Sequence, residues 1–228
     1  MTVSSRGVGG RDRPRSAGLP RLHVIAGDEE LGGPGFLDSL AGLVAVGRGR
    51  LAVHLRGRGM SARGLCGVAK GAVGVGRKGG TLILVNDRLD VALAVGAGGV
   101  HLREDSMGPG EVREVVGEGG RGFLVGRSIH APEQAAALAV GGVDYLVLGS
   151  VYETMSHPGG SPIGVDAVAA AVSLVAVPVL AIGGVGPGEV PGLLARGAHG
   201  VVVKSGVWGA NDPSRAVTRY LEMLHAEG

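Results

Sequence analysis

The chain has 228 residues and a net charge of +2, with 45% hydrophobic and 18% charged residues, which is typical of a soluble globular protein with a sizeable core. The 46 glycines follow no three-residue period, which excludes collagen, and 3% aromatic residues disfavour a surface that stacks nucleic-acid bases. No apolar run reaches the ~18 residues of a membrane span, and the single cysteine, Cys66, fits a small core residue in a reducing cytoplasm.

The first 20 residues form a basic segment that we separate from the folded part. It is rich in Gly, Ser and Arg and has no apolar periodicity, which predicts a disordered tail. A nucleic-acid arm or a transit peptide are the alternatives, but a segment without an apolar stripe is more typical of a solvated tail. We therefore predict a tail over residues 1–20 and one folded domain over residues 21–228, which binds neither nucleic acid nor membrane.

From residue 22 onward, short apolar runs alternate with Ala/Leu-rich segments. Strands are predicted at 22–26, 51–55, 81–85, 99–102, 122–125, 144–148, 178–182 and 200–204. Helices are predicted most clearly at 89–95, 132–140, 165–175, 187–196 and 213–225. The strands lack the alternation of a half-exposed sheet, which indicates parallel strands covered by helices. The segment SARGLCGVAKGAVGVGRKGG, between the second and third strands, is the least favoured helix because of its glycines.

Three helix-to-strand junctions share one pattern, an Ala/Leu helix followed by glycine and a Val-rich strand. They are LAVGAGGVHL, LAVGGVDYLVL and LLARGAHGVVV. Glycine can end each helix in the left-handed conformation, so that the next strand starts at once. Eight strands with crossover helices in about 205 residues predict a single (β/α)8 TIM barrel. A doubly wound open sheet is the alternative, but no G-x-G-x-x-G fingerprint follows the first strand.

The active site of a (β/α)8 barrel lies at the carboxyl ends of its strands. The residues that follow the predicted strands are Arg56 and Arg58; Asn86 and Asp87; Arg103, Glu104 and Asp105; Arg127, Ser128 and His130; the loop 149–164 with Thr154 and Gly164; Gly183 and Gly184; and Ser205 and Gly206. We therefore predict that these residues converge on one rim of the barrel.

The last two strand ends, Gly183-Gly184 and Ser205-Gly206, place small residues where backbone N–H groups can approach an anion. Loops in these positions commonly hold a phosphate in this fold. The alternative is that the glycines only make tight turns.

Arg56 and Arg58 alternate at the end of the second strand and could clamp another anion, unless they are a solvated surface pair. Asn86 and Asp87 could supply oxygen ligands to Mg²⁺. Alternatively, Asp87 is the N-cap of the following helix.

Three stretches resemble one known family: LVNDRLDVALAVGAGGVHL, GRSIHAPEQAAALAVGGVDYLVLGSVYET and PVLAIGGVGPGEVPGLLARGAHGVVVKSGVW. They are similar to the thiamine-phosphate synthase and thiazole tautomerase (TenI-like) superfamily of (β/α)8 barrels, over residues 21–225. This resemblance implies a thiamine-biosynthesis enzyme. The synthases join hydroxymethylpyrimidine pyrophosphate to thiazole phosphate and release pyrophosphate with Mg²⁺, whereas the tautomerases aromatise a thiazole carboxylate phosphate by proton transfer without a metal.

The chain departs from the synthase pattern in the half of the site that binds pyrophosphate and metal. The pattern Gln-x-Arg-x-Lys after the second strand is His54-Leu55-Arg56-Gly57-Arg58 here, and Thr-x-Thr-Lys in the loop after the sixth strand is Thr154-Met155-Ser156-His157. The motif HLGQED reads HLREDS, so that Ser106 takes the place of the second metal-binding aspartate, with Asp105 one residue earlier. The first metal-binding aspartate matches Asp87.

The stretches GRSIH and VYET look closer to the tautomerases, in which the histidine after the fifth strand transfers the proton, and His130 matches that histidine. Synthases also carry a histidine here, and His130 could instead cap the next helix. We therefore predict a cytoplasmic tautomerase with His130 as general acid/base and no cofactor. The alternatives are a synthase that holds Mg²⁺ through Asp87 and Asp105, and a non-catalytic barrel that binds a thiazole or thiamine phosphate.

The expected partners are small molecules: a thiazole phosphate, together with a pyrimidine pyrophosphate if the chain is a synthase. The residues predicted to bind them are Arg56, Arg58, Asn86, Ser128, Thr154, Gly164, Gly183, Gly184, Ser205 and Gly206. The sequence leaves open whether the chain is a homodimer.

Overall fold

The structure is a computed structural model, which describes residues 18–120, 122–139, 141–154 and 161–225. In this part of the chain, eight parallel strands close into a barrel in sequence order. They are β1 (Leu22–Gly27), β2 (Leu51–Arg56), β3 (Leu82–Asn86), β4 (Gly99–Leu102), β5 (Leu124–Ile129), β6 (Tyr145–Gly149), β7 (Val179–Ile182) and β8 (Gly200–Val203). Because β1 pairs with β8, the sheet has no edge. The predicted (β/α)8 barrel is confirmed, and the open sheet was wrong.

Helices cover the outside of the barrel. They are α1 (Asp28–Gly32), α2 (Phe36–Gly47), α3 (Ala62–Lys78), α4 (Leu89–Val95), α5 (Pro109–Val116), α6 (Glu133–Ala139), α7 (Asp166–Leu174), α8 (Val190–Leu194), α9 (Ser205–Trp208) and α10 (Pro213–His225). The predicted helix 187–196 is a 3-10 turn (Pro187–Glu189) followed by α8. No helix in the described part of the chain is long and apolar enough to cross a membrane.

The glycine-rich segment between β2 and β3 does form a helix, α3. Ser61 caps it by accepting a hydrogen bond from the Gly64 N–H at 3.1 Å. One face of α3, including Leu65, Ala69 and Val73, is buried in the core between strands and helices. Packing of this face compensates for the weak helix propensity of the glycines.

The strands divide the core into two layers. Side chains on their outer faces, such as Val24 and Val53, pack against the helices. Side chains on their inner faces, such as Leu84 and Val147, fill the barrel with Leu19. The interior also holds polar side chains, which are the first structural sign of a site.

The helix-to-strand junctions use left-handed glycines, as the sequence predicts. Gly96, Gly142 and Gly197 have φ angles of 64°, 87° and 87°, which side chains other than glycine rarely adopt. A different requirement holds at Gly126 in β5, where an added Cβ would lie 2.0 Å from the ring of Tyr145. Gly126 therefore makes room for the tyrosine inside the barrel.

One strand boundary differs from expectation. Strand β5 continues to Ile129, so Arg127 and Ser128 lie within the strand and do not follow it. At the amino terminus, residues 1–17 of the predicted tail lie outside the described residues, whereas Leu19 and Pro20 are buried.

Candidate active site

Asp87 is the anchor of the rim between β3 and β4. Its φ angle is 61°, an uncommon value for a residue with a side chain, and its N–H donates to the carbonyl of His101 at 2.9 Å. This backbone turns the carboxylate toward the loop after β4, where Oδ1 accepts hydrogen bonds from the Arg103 N–H at 2.9 Å and from the Ser106 hydroxyl. Arg88 occupies the N-cap position of α4, so the interpretation of Asp87 as a helix cap was wrong.

Arg103 bridges the two carboxylates that the sequence assigns to a metal. Its Nε lies 3.2 Å from Asp87 Oδ2, and its Nη2 lies 3.0 Å from Asp105 Oδ1. The Arg103 Nε makes a charge contact with Asp87 but lacks hydrogen-bond geometry. A positive charge of the chain itself therefore lies between Asp87 and Asp105.

Arg56 and Arg58 lie on the same side of the rim. Arg56 is the last residue of β2 and is half-buried, whereas Arg58 is exposed in the following loop. Burial lowers the pKa of the Arg56 guanidinium, and the positive charges of Arg58 and Arg103 lower it further. The negative charge of Asp87 raises it. Arg58 and Arg103 thus both lie close enough to Arg56 to repel it, which is a favourable arrangement for an anionic ligand.

A chain of hydrogen bonds runs through the barrel interior below this rim. His23 Nε2 lies 3.0 Å from the carbonyl oxygen of Pro20, and His23 Nδ1 lies 2.8 Å from His54 Nε2. His54 Nδ1 lies 3.2 Å from the carboxamide of Asn86. Because the Pro20 carbonyl only accepts, a neutral chain requires His54 Nε2 to donate and its Nδ1 to accept. The structure places Asn86 Oδ1 on His54, so a neutral chain requires the opposite orientation of the carboxamide, with its NH₂ toward His54.

A second buried set of hydrogen-bonded side chains, centred on His101, lies beside His54. His101 Nδ1 lies 3.2 Å from the hydroxyl of Tyr145, and His101 Nε2 lies 2.9 Å from the hydroxyl of Ser128. The side chain of Ser128, a predicted substrate-binding residue, is thus engaged within the barrel. The same is true of Asn86. Both can support the floor of a site.

Burial keeps these interior histidines uncharged. It lowers the pKa of His54 to about 4, and it is also the largest cause of the lowered pKa of His23 and of His101. The neighbouring His54 lowers the pKa of both further. At neutral pH the three rings act as hydrogen-bonding groups and not as charges.

His130 lies at the mouth of the barrel, just after β5. Its side chain is 63% exposed, and its Nδ1 lies 2.8 Å from the carbonyl oxygen of Gly149. Since that carbonyl only accepts, Nδ1 carries the proton and Nε2 is left as the basic atom. Nε2 lies 3.7 Å from Glu104, and Gln134 accepts from the His130 N–H at 2.7 Å and also contacts Glu104. His130 is therefore oriented and accessible, as an acid or base must be.

The loop after β7 is built on close backbone contacts. Gly183 and Gly184 have φ angles of 100° and 64°. An added Cβ at Gly184 would lie 2.2 Å from the carbonyl oxygen of Glu153, in the loop after β6. This β6 loop is held against β7 by the Tyr152 N–H, which donates to the Gly183 carbonyl at 3.0 Å. Side chains are excluded here, so the backbone itself lines this part of the mouth.

The end of β8 completes this half of the rim. Ser205 and Gly206 begin the short helix α9 and are exposed. The first N–H groups of a helix have no partner within it and can bind an anion. Lys204, which the sequence analysis did not select, precedes them and lies 3.5 Å from Glu30. At the end of the β6 loop, the Gly164 N–H donates to the carbonyl oxygen of Val151 at 3.1 Å.

Sequence reasoning placed two further residues, Arg127 and Arg103, after strands of the rim but gave them no role. Arg127 donates to the carbonyl oxygens of Glu104 and Met107 at 2.6 and 2.8 Å, and so fixes the loop that carries Arg103. Arg103 itself is named by the sequence only as a residue after a strand. Its position in the motif HLREDS, where the family has glycine, was the signal that could have found it.

The loop after β6 is only partly described. Thr154 is described and half-buried, but Met155, Ser156 and His157 lie outside the described residues. Among the residues that the structure does describe, no three His, Cys, Asp or Glu side chains come together as a metal site.

Comparisons with known proteins identify the family of the chain. A family model described as thiamine monophosphate synthase matches residues 23–207. Thiamine-phosphate synthase of Salinispora arenicola is 36% identical over 208 residues, which cover 90% of this chain and 98% of that protein. That of Moorella thermoacetica is 34% identical, over 89% of this chain and 95% of that protein. The solved structure of thiamine phosphate pyrophosphorylase from Pyrococcus furiosus superposes with a TM-score of 0.78 at 30% identity, over 92% of this chain and 96% of the other.

Proposed function

The chain belongs to the thiamine monophosphate synthase family, and we propose that it is a thiamine-phosphate synthase. In this reaction hydroxymethylpyrimidine pyrophosphate and thiazole phosphate are joined, and pyrophosphate is released. The sequence analysis preferred the tautomerase branch. The relatives named above carry the synthase name, so the comparisons favour the alternative that the sequence analysis placed second.

One observation carries the proposal: two separate groups of residues suited to bind anions lie on one rim. The first is the arginine region of Arg56, Arg58 and Arg103, after β2 and β4. The second is the glycine region of Gly183–Gly184 and Ser205–Gly206, after β7 and β8. A synthase has two phosphorylated substrates, whereas a tautomerase has one. Two regions on opposite sides of the mouth fit two substrates that meet between them.

The arginine region suits the pyrophosphate. The new bond forms at the carbon that pyrophosphate leaves, so negative charge grows on the leaving group as the old bond breaks. Fixed guanidinium groups stabilise that charge more in the transition state than in the ground state, which accelerates the step. Asn86, whose carboxamide contacts His54, ends β3 between the two strands that carry these arginines.

The glycine region suits the monophosphate of the thiazole. Backbone N–H groups in loops after the last two strands hold a phosphate in many barrels of this fold. His130 lies between the regions, with a basic Nε2 and an exposed ring. In the synthase it would contact the substrates as a hydrogen-bonding group, and its role as a proton-transfer base belongs to the tautomerase alternative.

The family implies Mg²⁺, but the donor set here does not fit it. Mg²⁺ prefers six oxygen ligands, including one or two carboxylates. Oδ1 of Asp87 already accepts two hydrogen bonds, and its Oδ2 faces the positive charge of Arg103. Asp105 is paired with the same arginine, and position 106 is serine. We therefore assign no step to a metal.

Binding measurements test the two-region arrangement. Calorimetry should show thiazole phosphate and inorganic pyrophosphate, a pair that cannot react to form the product, binding together and not in competition. Arg56→Ala should weaken binding of hydroxymethylpyrimidine pyrophosphate by about 10- to 100-fold, the loss expected for a charged hydrogen bond. It should leave binding of thiazole phosphate unchanged. Arg77→Ala is the matched control, because Arg77 contacts Gly96 at the opposite end of the barrel. Competition between the two ligands would contradict the proposal.

His130→Ala separates the two branches. Removal of a general acid/base slows a reaction by about 10²–10⁴-fold. We expect this variant to retain measurable thiamine phosphate formation, because the arginines and the two phosphate contacts remain. A loss of that size confined to aromatisation of thiazole carboxylate phosphate would instead favour the tautomerase.

A further inference from the structure

The positive charge beside Asp87 is the guanidinium of Arg103, a side chain of the protein itself. Arg103 follows β4 directly, and its N–H and its guanidinium both contact Asp87, at 2.9 and 3.2 Å. Ser106, three residues later, donates its hydroxyl to the same carboxylate. The loop 103–106 thus wraps around Asp87 and fills the space on its oxygens. Arg127, which is buried, fixes this loop from β5.

The two carboxylates hold Arg103 unequally. Asp87 is 25% exposed and is fixed by three contacts, whereas Asp105 is 73% exposed and touches Arg103 alone among the described residues. An ion pair as exposed as that of Arg103 with Asp105 contributes little to stability. Asp87 therefore orients the guanidinium through Nε, and an incoming anion can displace Asp105 from Nη2. The planar fork of arginine then matches phosphate oxygens.

We propose that the Arg103 guanidinium replaces a divalent metal in the arginine region, so that the chain binds a diphosphate group without metal. Arg56 and Arg58 supply the remaining positive charge from the neighbouring side of the rim. The identity of the diphosphate as the pyrimidine substrate rests on the proposed function. The anion site itself rests only on the contacts of Arg103.

Inorganic pyrophosphate is the probe. Calorimetry with the full chain in buffer treated with EDTA should show binding, and added Mg²⁺ should not tighten it. Arg103→Ala should weaken this metal-free binding by about 10- to 100-fold, whereas Arg77→Ala, which removes the same charge far from the rim, should not. Binding that appears only with Mg²⁺, no binding under either condition, or an unaffected Arg103 variant would overturn the proposal.

A second variant guards against a loss that arises from misfolding. Asp105→Ala removes the side chain that competes for Arg103 and should tighten metal-free pyrophosphate binding several-fold. Unchanged or weaker binding would count against the displacement of Asp105. In the double variant Arg103→Gly with Ser106→Asp, a second carboxylate faces Asp87, and pyrophosphate binding should become dependent on Mg²⁺.

These results remain separable from the proposed function. Metal-free binding that depends on Arg103, without formation of thiamine phosphate, would support the anion site and reject the synthase. Formation of thiamine phosphate together with strictly Mg²⁺-dependent pyrophosphate binding would support the synthase and reject the role of Arg103.

Discussion

Acidification should destabilise this barrel through its interior histidines. Burial lowers the pKa of His54 from 6.5 to about 4, while in the unfolded chain the ring titrates near its ordinary value. As the pH falls below 6.5, the unfolded state takes up a proton that the folded state refuses until about pH 4. The unfolded state then binds more protons, so the free energy of unfolding decreases throughout this window. Above it, the contribution is constant.

The size of the effect follows from the pKa difference. With one pKa unit worth about 1.4 kcal/mol, His54 alone lowers the free energy of unfolding by about 2 kcal/mol at about pH 5 and by about 3 kcal/mol at about pH 4. His23 and His101 act in the same direction, because burial lowers their pKa as well. For a domain with a stability of about 5–15 kcal/mol, this is a large share.

Urea denaturation between about pH 7 and pH 5 measures this loss. His54→Gln removes one titrating ring and should make the decrease shallower by about one proton. His225→Asn is the control, since His225 is exposed at the end of α10 and should leave the profile unchanged. A flat free energy of unfolding across the window, or an equal slope in wild type and His54→Gln, would refute the assignment of neutral histidines to the interior.

Two further predictions concern the free energy of unfolding and are measured by the same denaturation. Asp144→Ala should lower it by about 3–5 kcal/mol, because it removes the carboxylate that pairs with Arg113, whose side chain is 17% exposed. Asp166→Ala removes a carboxylate that is 92% exposed and should lower it by about 1 kcal/mol at most. Gly184→Ala should cost about 1–3 kcal/mol, since φ is 64° and a Cβ meets the backbone of the β6 loop; Gly188→Ala, which faces open space, should stay within about 0.5 kcal/mol. Equal costs within either pair would contradict these contacts.

The barrel was predictable because its signals are local. Apolar runs give the strands, and glycines such as Gly96 and Gly197 end the helices in the left-handed conformation that the junction pattern predicts. The end of β5 was missed because Arg127 and Ser128 look like loop residues. Arg127 donates to Glu104 and Ser128 contacts His101; both partners are distant in sequence, and a single sequence does not display them.

The site was predictable as a rim but not as a network. The strand ends correctly indicated that Asp87 and His130 lie at the mouth. The backbone of Asp87 was not predictable, because its φ of 61° depends on contacts with Arg103 and Ser106 after the next strand. The same contacts pair Asp87, a predicted metal ligand, with an arginine. Tertiary contacts of this kind decide the chemistry of a residue whose position is already known.

The most direct test of the account is turnover with both substrates. The purified chain is supplied with hydroxymethylpyrimidine pyrophosphate and thiazole phosphate, with EDTA or with Mg²⁺, and thiamine phosphate and pyrophosphate are quantified together. We predict that thiamine phosphate and pyrophosphate form in equal amounts. Absence of thiamine phosphate under both conditions, with aromatisation of thiazole carboxylate phosphate by the same preparation, would contradict the synthase and establish the tautomerase.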